Sequence, residues 1–106
     1  AIAECCILSS MGADIELDSG SNKRLDNILF GEGGSRIIFS INKKKEVEWF
    51  NYVKEIQKDT PKNLYIKKIG LVSNGNLKIN YQNNEICNVK VKELSENFNN
   101  GISTYL

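Results

Sequence analysis

The chain has 106 residues, 14 basic and 13 acidic side chains and a net charge of +1. That length fits one domain able to bury roughly two thirds of its extended surface, so neither metals nor disulfides are needed to hold a core. A balanced charge lacks the basic footprint of a dedicated nucleic-acid or membrane-surface protein, and no apolar run is long enough for a membrane span or a signal peptide.

Taken in chain order, the apolar positions around Ile2, Cys5, Cys6 and Ile7 predict a first helix within residues 1–12, with Gly12 as its terminator. Residues 13–17 alternate apolar and acidic, the period of a half-buried strand. A loop over residues 18–22 follows, and Leu25, Ile28, Leu29 and Phe30 then sit at helical spacing. Residues 36–41, rich in β-branched and aromatic side chains, predict a core strand. Asn42 is placed to cap a helix of about fifteen residues whose apolar face is Val47, Trp49, Phe50, Val53 and Ile56, and which Pro61 stops. The Trp/Phe stripe reads as core packing rather than a ligand platform, and the lysine runs 43–45 and 67–68 as solvated faces.

A strand over residues 64–72, a turn at Ser73-Asn74-Gly75-Asn76 and a strictly alternating stretch 77–81 predict a type I′ hairpin. Residues 87–91 add a further strand or an extended lead-in, and Leu94, Phe98 and Ile102 mark a last helix. The expected order is α-β-α-β-α-β-β-(β)-α, an α+β fold with a mixed or mostly antiparallel sheet in a single domain over residues 1–106. Ala1 stands where a helix is already under way, which predicts a piece of a larger protein. Uncovered apolar surface on such a piece predicts that it dimerises when isolated.

Chemistry narrows quickly. There is no histidine, and adjacent Cys5-Cys6 with distant Cys87 fits no zinc spacing. All three cysteines read as small buried apolar groups in a reducing, cytoplasmic setting. One stretch remains: Gly31-Glu32-Gly33-Gly34-Ser35-Arg36. Backbone amides beside glycines, the Ser35 hydroxyl and the Arg36 guanidinium suit a substrate or nucleotide phosphate, with Glu32 able to hold a ribose hydroxyl, magnesium or Arg36 itself. A simple turn with a surface salt bridge fits the same residues, and both readings stay open on composition and spacing.

Several stretches together resemble a known family. Ala3-Glu4-Cys5-Cys6, Gly12-Ala13 before an acidic strand, Leu29-Phe30-Gly31-Glu32-x-x-Ser35-Arg36-Ile37 and Glu93-Leu94-x-x-x-Phe98-x-x-Gly101-Ile102 look like the last domain of the large, synthetase subunit of phosphoribosylformylglycinamidine synthases. Lys90, where a capping serine or threonine is more natural, and Asn99-Asn100 depart from a strong final helix. The resemblance implies a layered α/β/α domain, partly ferredoxin-like, of the aminoimidazole ribonucleotide synthetase superfamily. It implies ATP- and magnesium-dependent amidine formation in purine biosynthesis, with ammonia from glutamine, and as partners the remaining synthetase domains, a glutaminase subunit and a small accessory subunit. Most ATP-binding and catalytic residues of that family lie outside a stretch of this kind. This chain is therefore expected to carry no catalytic or metal-ligating residue and to be inactive alone. The alternative is a structural, interface or ligand-binding domain of another superfamily member; selenophosphate synthetase and thiamine-monophosphate kinase relatives usually lack Leu-Phe-Gly-Glu-x-x-Ser-Arg.

Overall fold

The structure, a computed structural model, describes residues 1–18, 24–33, 36–59, 66–101 and 103. Its elements are α1 (Ile2–Ser9), β1 (Gly12–Leu17), α2 (Leu25–Phe30), a 3-10 turn at Lys43–Lys45 leading into α3 (Glu46–Asp59), β2 (Gly70–Ser73), β3 (Asn76–Tyr81), β4 (Asn84–Lys90) and α4 (Val91–Asn100). This is an α+β fold with a mixed four-stranded sheet. The chain divides into two compact units, residues 1–38 with 69–106, and residues 39–68.

The first unit holds the sheet, in the order β2-β1-β3-β4. β1 runs antiparallel to β2 and parallel to β3, with Ala13 beside Leu77 and Ile15 beside Ile79. Alternation then sends Ala13, Ile15, Leu77, Ile79 and Val89 to one face, where Cys6, Ile2 and Ala3 of α1 and Val91 and Leu94 of α4 close the core. This unit thus contributes one helical layer and the sheet. The opposite face carries Lys78, which pairs with Glu85 at 3.3 Å, and Asn76, which donates to the Asn88 side chain at 2.9 Å.

Four expectations need correction here. First, the expected hairpin over 64–81 does not form. The turn exists, with Gly75 at φ 82° and the Asn76 amide donating to the Asn74 carbonyl, but β1 lies between its two strands. The chain crosses over the start of β1, and Gly12 makes room for it. A Cβ on Gly12 would stand 2.1 Å from the Asn76 carbonyl oxygen. Gly12 therefore opens β1 instead of ending α1, and Ser10, left-handed at φ 56°, caps that helix. The true hairpin joins β3 to β4 through Gln82 and Asn83, both at positive φ as a type I′ turn requires.

Second, residues 36–41 form no strand, and Ile37, Ile38, Phe39 and Ile41 are all exposed. β-branched side chains favour a pleated ladder but do not supply the neighbour that accepts its hydrogen bonds. Third, β2 begins only at Gly70; residues 66–69 are irregular, and positions 64 and 65 lie outside the described residues. Fourth, Cys5 is exposed while Cys6 is buried. Consecutive helical residues point about 100° apart, so one stripe cannot bury both. Cys87 is half-buried, and none of the three is in a disulfide.

In the second unit Asn42 caps as expected: its side chain accepts from the Lys44 amide at 3.0 Å. Trp49 meets Phe39 edge-on at 4.9 Å and Tyr52 at 5.9 Å, and Lys68 pairs with Glu46. Val53 is buried, but Val47, assigned to the inner face, is 73% exposed, and Ile56 is exposed as well. Lys43, Lys44 and Lys45 are exposed, as solvated cations are. The stop at Pro61, the loop at 19–22 and the contribution of Ile102 lie outside the described residues.

Candidate functional site

The loop expected to carry function leaves α2, a six-residue helix with no fully buried side chain. Leu25, Ile28 and Leu29 are half-buried, whereas Phe30, next to the loop, is 80% exposed. At the other end the Arg24 guanidinium forks onto the Asp26 carboxylate at 3.2 and 2.8 Å, and Asp26 accepts from the Asn27 amide. An acidic residue in the first turn suits the helix dipole. Among surface ion pairs such a contact is worth little, at most about 1 kcal/mol.

Gly31 ends the helix. Its amide donates to the Asn27 carbonyl at 3.1 Å, its backbone turns extended at ψ 126°, and a Cβ there would lie 2.3 Å from that same oxygen. Arg36 then folds back onto the loop. Its Nη2 donates to the Gly31 carbonyl and its Nε to the Gly33 carbonyl at 3.4 Å. Gly33 borders the guanidinium, because a Cβ on it would sit 3.1 Å from Nη2. Glu32 is exposed and forms no ion pair with Arg36. Of the six residues singled out from sequence, Arg36 reaches back to Gly31 and Gly33, with the exposed Glu32 between those two. Gly34 and Ser35 lie outside the described residues. The salt bridge weighed for Glu32 and Arg36 is absent; backbone carbonyls take the guanidinium instead.

That tie carried no sequence signal, since a carbonyl is present at every position. A concavity of about 310 Å³ was equally silent. It lies between the end of α1 and the start of α4, lined by Ile7, Ser10, Val91 and Ser95 among others. Among the described residues no group of three His, Cys, Asp or Glu side chains could hold a metal ion, so this chain's described side chains do not by themselves fit magnesium. The buried Cys6 thiol is pushed above its ordinary value, first by desolvation and then by neighbouring Cys5. It stays protonated and unreactive. No described helix is long and apolar enough to cross a membrane.

Comparison with known proteins places relatives along nearly the whole chain. The phosphoribosylformylglycinamidine synthase subunit PurL of Prochlorococcus marinus (strain MIT 9301) is 60% identical over 105 residues, 99% of this chain. The PurL subunits of strains MIT 9515 and MIT 9313 are 57% and 36% identical, each over 103 residues, covering 97% and 96% of this chain. The chain spans 13% of the length of each of these relatives. No family profile and no solved structure matches it.

Proposed function

We propose that this chain, a homologue of PurL, is the terminal domain of the synthetase subunit of a phosphoribosylformylglycinamidine synthase. One observation carries the reading: 60% identity sustained over 99% of the chain. In that role it belongs to a cytoplasmic, ATP- and magnesium-dependent ligase of purine biosynthesis. The enzyme converts a formylglycinamide ribonucleotide to its amidine with ammonia from glutamine. Its partners are the remaining synthetase domains, a glutaminase subunit and a small accessory subunit; neither nucleic acid nor membrane is among them. ATP would supply the activation of the amide oxygen, and residues outside this chain would hold its magnesium. Among the described residues no group of three His, Cys, Asp or Glu side chains could hold a metal ion, and phosphoryl transfer relies on magnesium held beside the phosphates.

The part left to this chain is binding. The 31–36 loop meets the substrate or nucleotide of the assembled enzyme through its exposed turn. The test is direct: the complete synthetase subunit with its glutaminase partner forms the amidine, and the 106-residue chain alone forms none. Turnover by the chain alone, or a complete subunit that makes no amidine, refutes the assignment.

A second reading has an observation of its own. Ile37 and Ile38 follow the loop and are 85% and 54% exposed. That favours a loop that contacts another domain of the subunit, with binding elsewhere. Ile37→Ser separates the two readings: a contact loop loosens the domain association, whereas a ligand loop raises a KM and leaves association intact.

A further inference from the structure

We infer that Arg36 is a positioning residue, and that Glu32, not the guanidinium, is the charged group the loop offers to its ligand. This rests on the reading that the loop faces a ribonucleotide of the assembled enzyme. Three observations carry it. The guanidinium is already engaged, bridging the carbonyls of Gly31 and Gly33. Gly33 lies against that bridge: a Cβ built there would stand 3.1 and 3.3 Å from Nη2 and Nε, so a side chain would have to displace the guanidinium by a few tenths of an ångström. Glu32, between the two carbonyls, is exposed and left unpaired by Arg36.

Peptide geometry completes the case. Among the described residues no peptide bond is cis, and in a trans peptide the C=O and N–H point in opposite directions. With the Gly31 carbonyl turned to the guanidinium, the Glu32 amide hydrogen faces away from it. One residue thus presents a carboxylate that accepts and an amide that donates. A hydroxyl group does both in return, so the matching chemistry is a sugar hydroxyl. A phosphate only accepts, and it would meet the Glu32 charge. The arginine and glycines that suggested a phosphate cradle instead hold a carboxylate in place for a ribose.

The test uses the complete synthetase subunit carrying this sequence, with ammonia as nitrogen donor. Glu32→Gln raises the KM of one ribonucleotide, the formylglycinamide ribonucleotide or ATP, about tenfold with kcat near wild type, as loss of a charge-assisted hydrogen bond implies. Arg36→Lys and Gly33→Ala raise that same KM. Lysine keeps the charge but not the fork, and alanine keeps both charges but crowds the bridge. Glu32→Gln adds nothing further in an Arg36→Ala background. Gly33→Ala also speeds phenylglyoxal modification of Arg36 several-fold, read by mass spectrometry against Arg24. The inference is overturned if Arg36→Lys binds like wild type while Arg36→Ala does not, the pattern of a direct phosphate contact, or if Gly33→Ala leaves the modification rate unchanged. A wild-type subunit that forms no amidine refutes the proposed function; the modification experiment then still decides the tie.

Discussion

Gly12 shows how much one absent methyl group can decide. Its neighbours in sequence look like a helix end, yet the Asn76 backbone passes where a side chain on it would stand. Gly12→Ala sets a Cβ 2.1 Å from a carbonyl oxygen that the sheet holds in place. The expected loss is more than about 1 kcal/mol, the usual scale for alanine where the native backbone cannot take it. Urea unfolding followed by circular dichroism measures it, and an unchanged midpoint contradicts the crossover. Cys6 gives a second prediction, in pH. Its folded pKa is raised above the ordinary value of 9.0. The folded state therefore binds more protons there, and stability is fully present below pH 9.0 and lost as pH rises towards the folded value. Cys6→Ala removes this alkaline slope, at the cost of a smaller core. Comparing urea midpoints of the two proteins across that range isolates the thiol from other titrations.

At the scale of elements, two turns exchange the roles that composition assigned them. Asn74-Gly75 is the better hairpin dipeptide on paper, but it serves a crossover, and Gln82-Asn83 closes the hairpin with both residues at positive φ. Gln82 bears the strain of a left-handed backbone, about 1 kcal/mol for a residue with a Cβ. Placing Asn-Gly at positions 82 and 83 is expected to stabilise the chain by about 0.5–1 kcal/mol, since both accept that conformation readily. A fall in the thermal midpoint would count against the β3–β4 turn. The start of α3 offers a test of the opposite sign. Asn42 satisfies the Lys44 amide, and Asn42→Ala leaves that donor to water. The cost is about 1 kcal/mol, the typical value of such a cap. Helicity monitored at 222 nm should fall along with the urea midpoint, and an Asn42→Asp variant should keep most of both.

For the whole molecule, the notable feature is how much apolar surface stays uncovered. Leu8, Phe30, Ile37, Val47 and Phe98 are each more than 60% exposed. Such a surface is commonly covered by protein in an assembly. Isolated, the chain is expected to self-associate through these faces, and light scattering over a concentration series reads the change. A monomer at all concentrations would mean that these side chains tolerate water without a partner.

Much of this was legible in residue order. The periods of α3 and α4, the alternation of β1 and β3 and the Asn42 cap are local properties, set by which side chains recur every second or every third to fourth residue. The 31–36 loop was also visible as a candidate, because its three glycines set it apart from any helix or strand, although a plain turn fitted the same residues. What residue order left open was every question about a partner. Residues 36–41 have the composition of a strand, but no neighbour in the ladder. β2 and β3 are joined by two residues, yet β1, sixty residues earlier in the chain, sits between them. Arg36 had a carboxylate four residues away and took two carbonyls instead. The sequence by itself determined the local periods, the family resemblance and the place of the candidate loop. Only the tertiary structure decided strand order and the crowding against the Asn76 backbone at Gly12, because each depends on atoms brought close by folding and not by chain order.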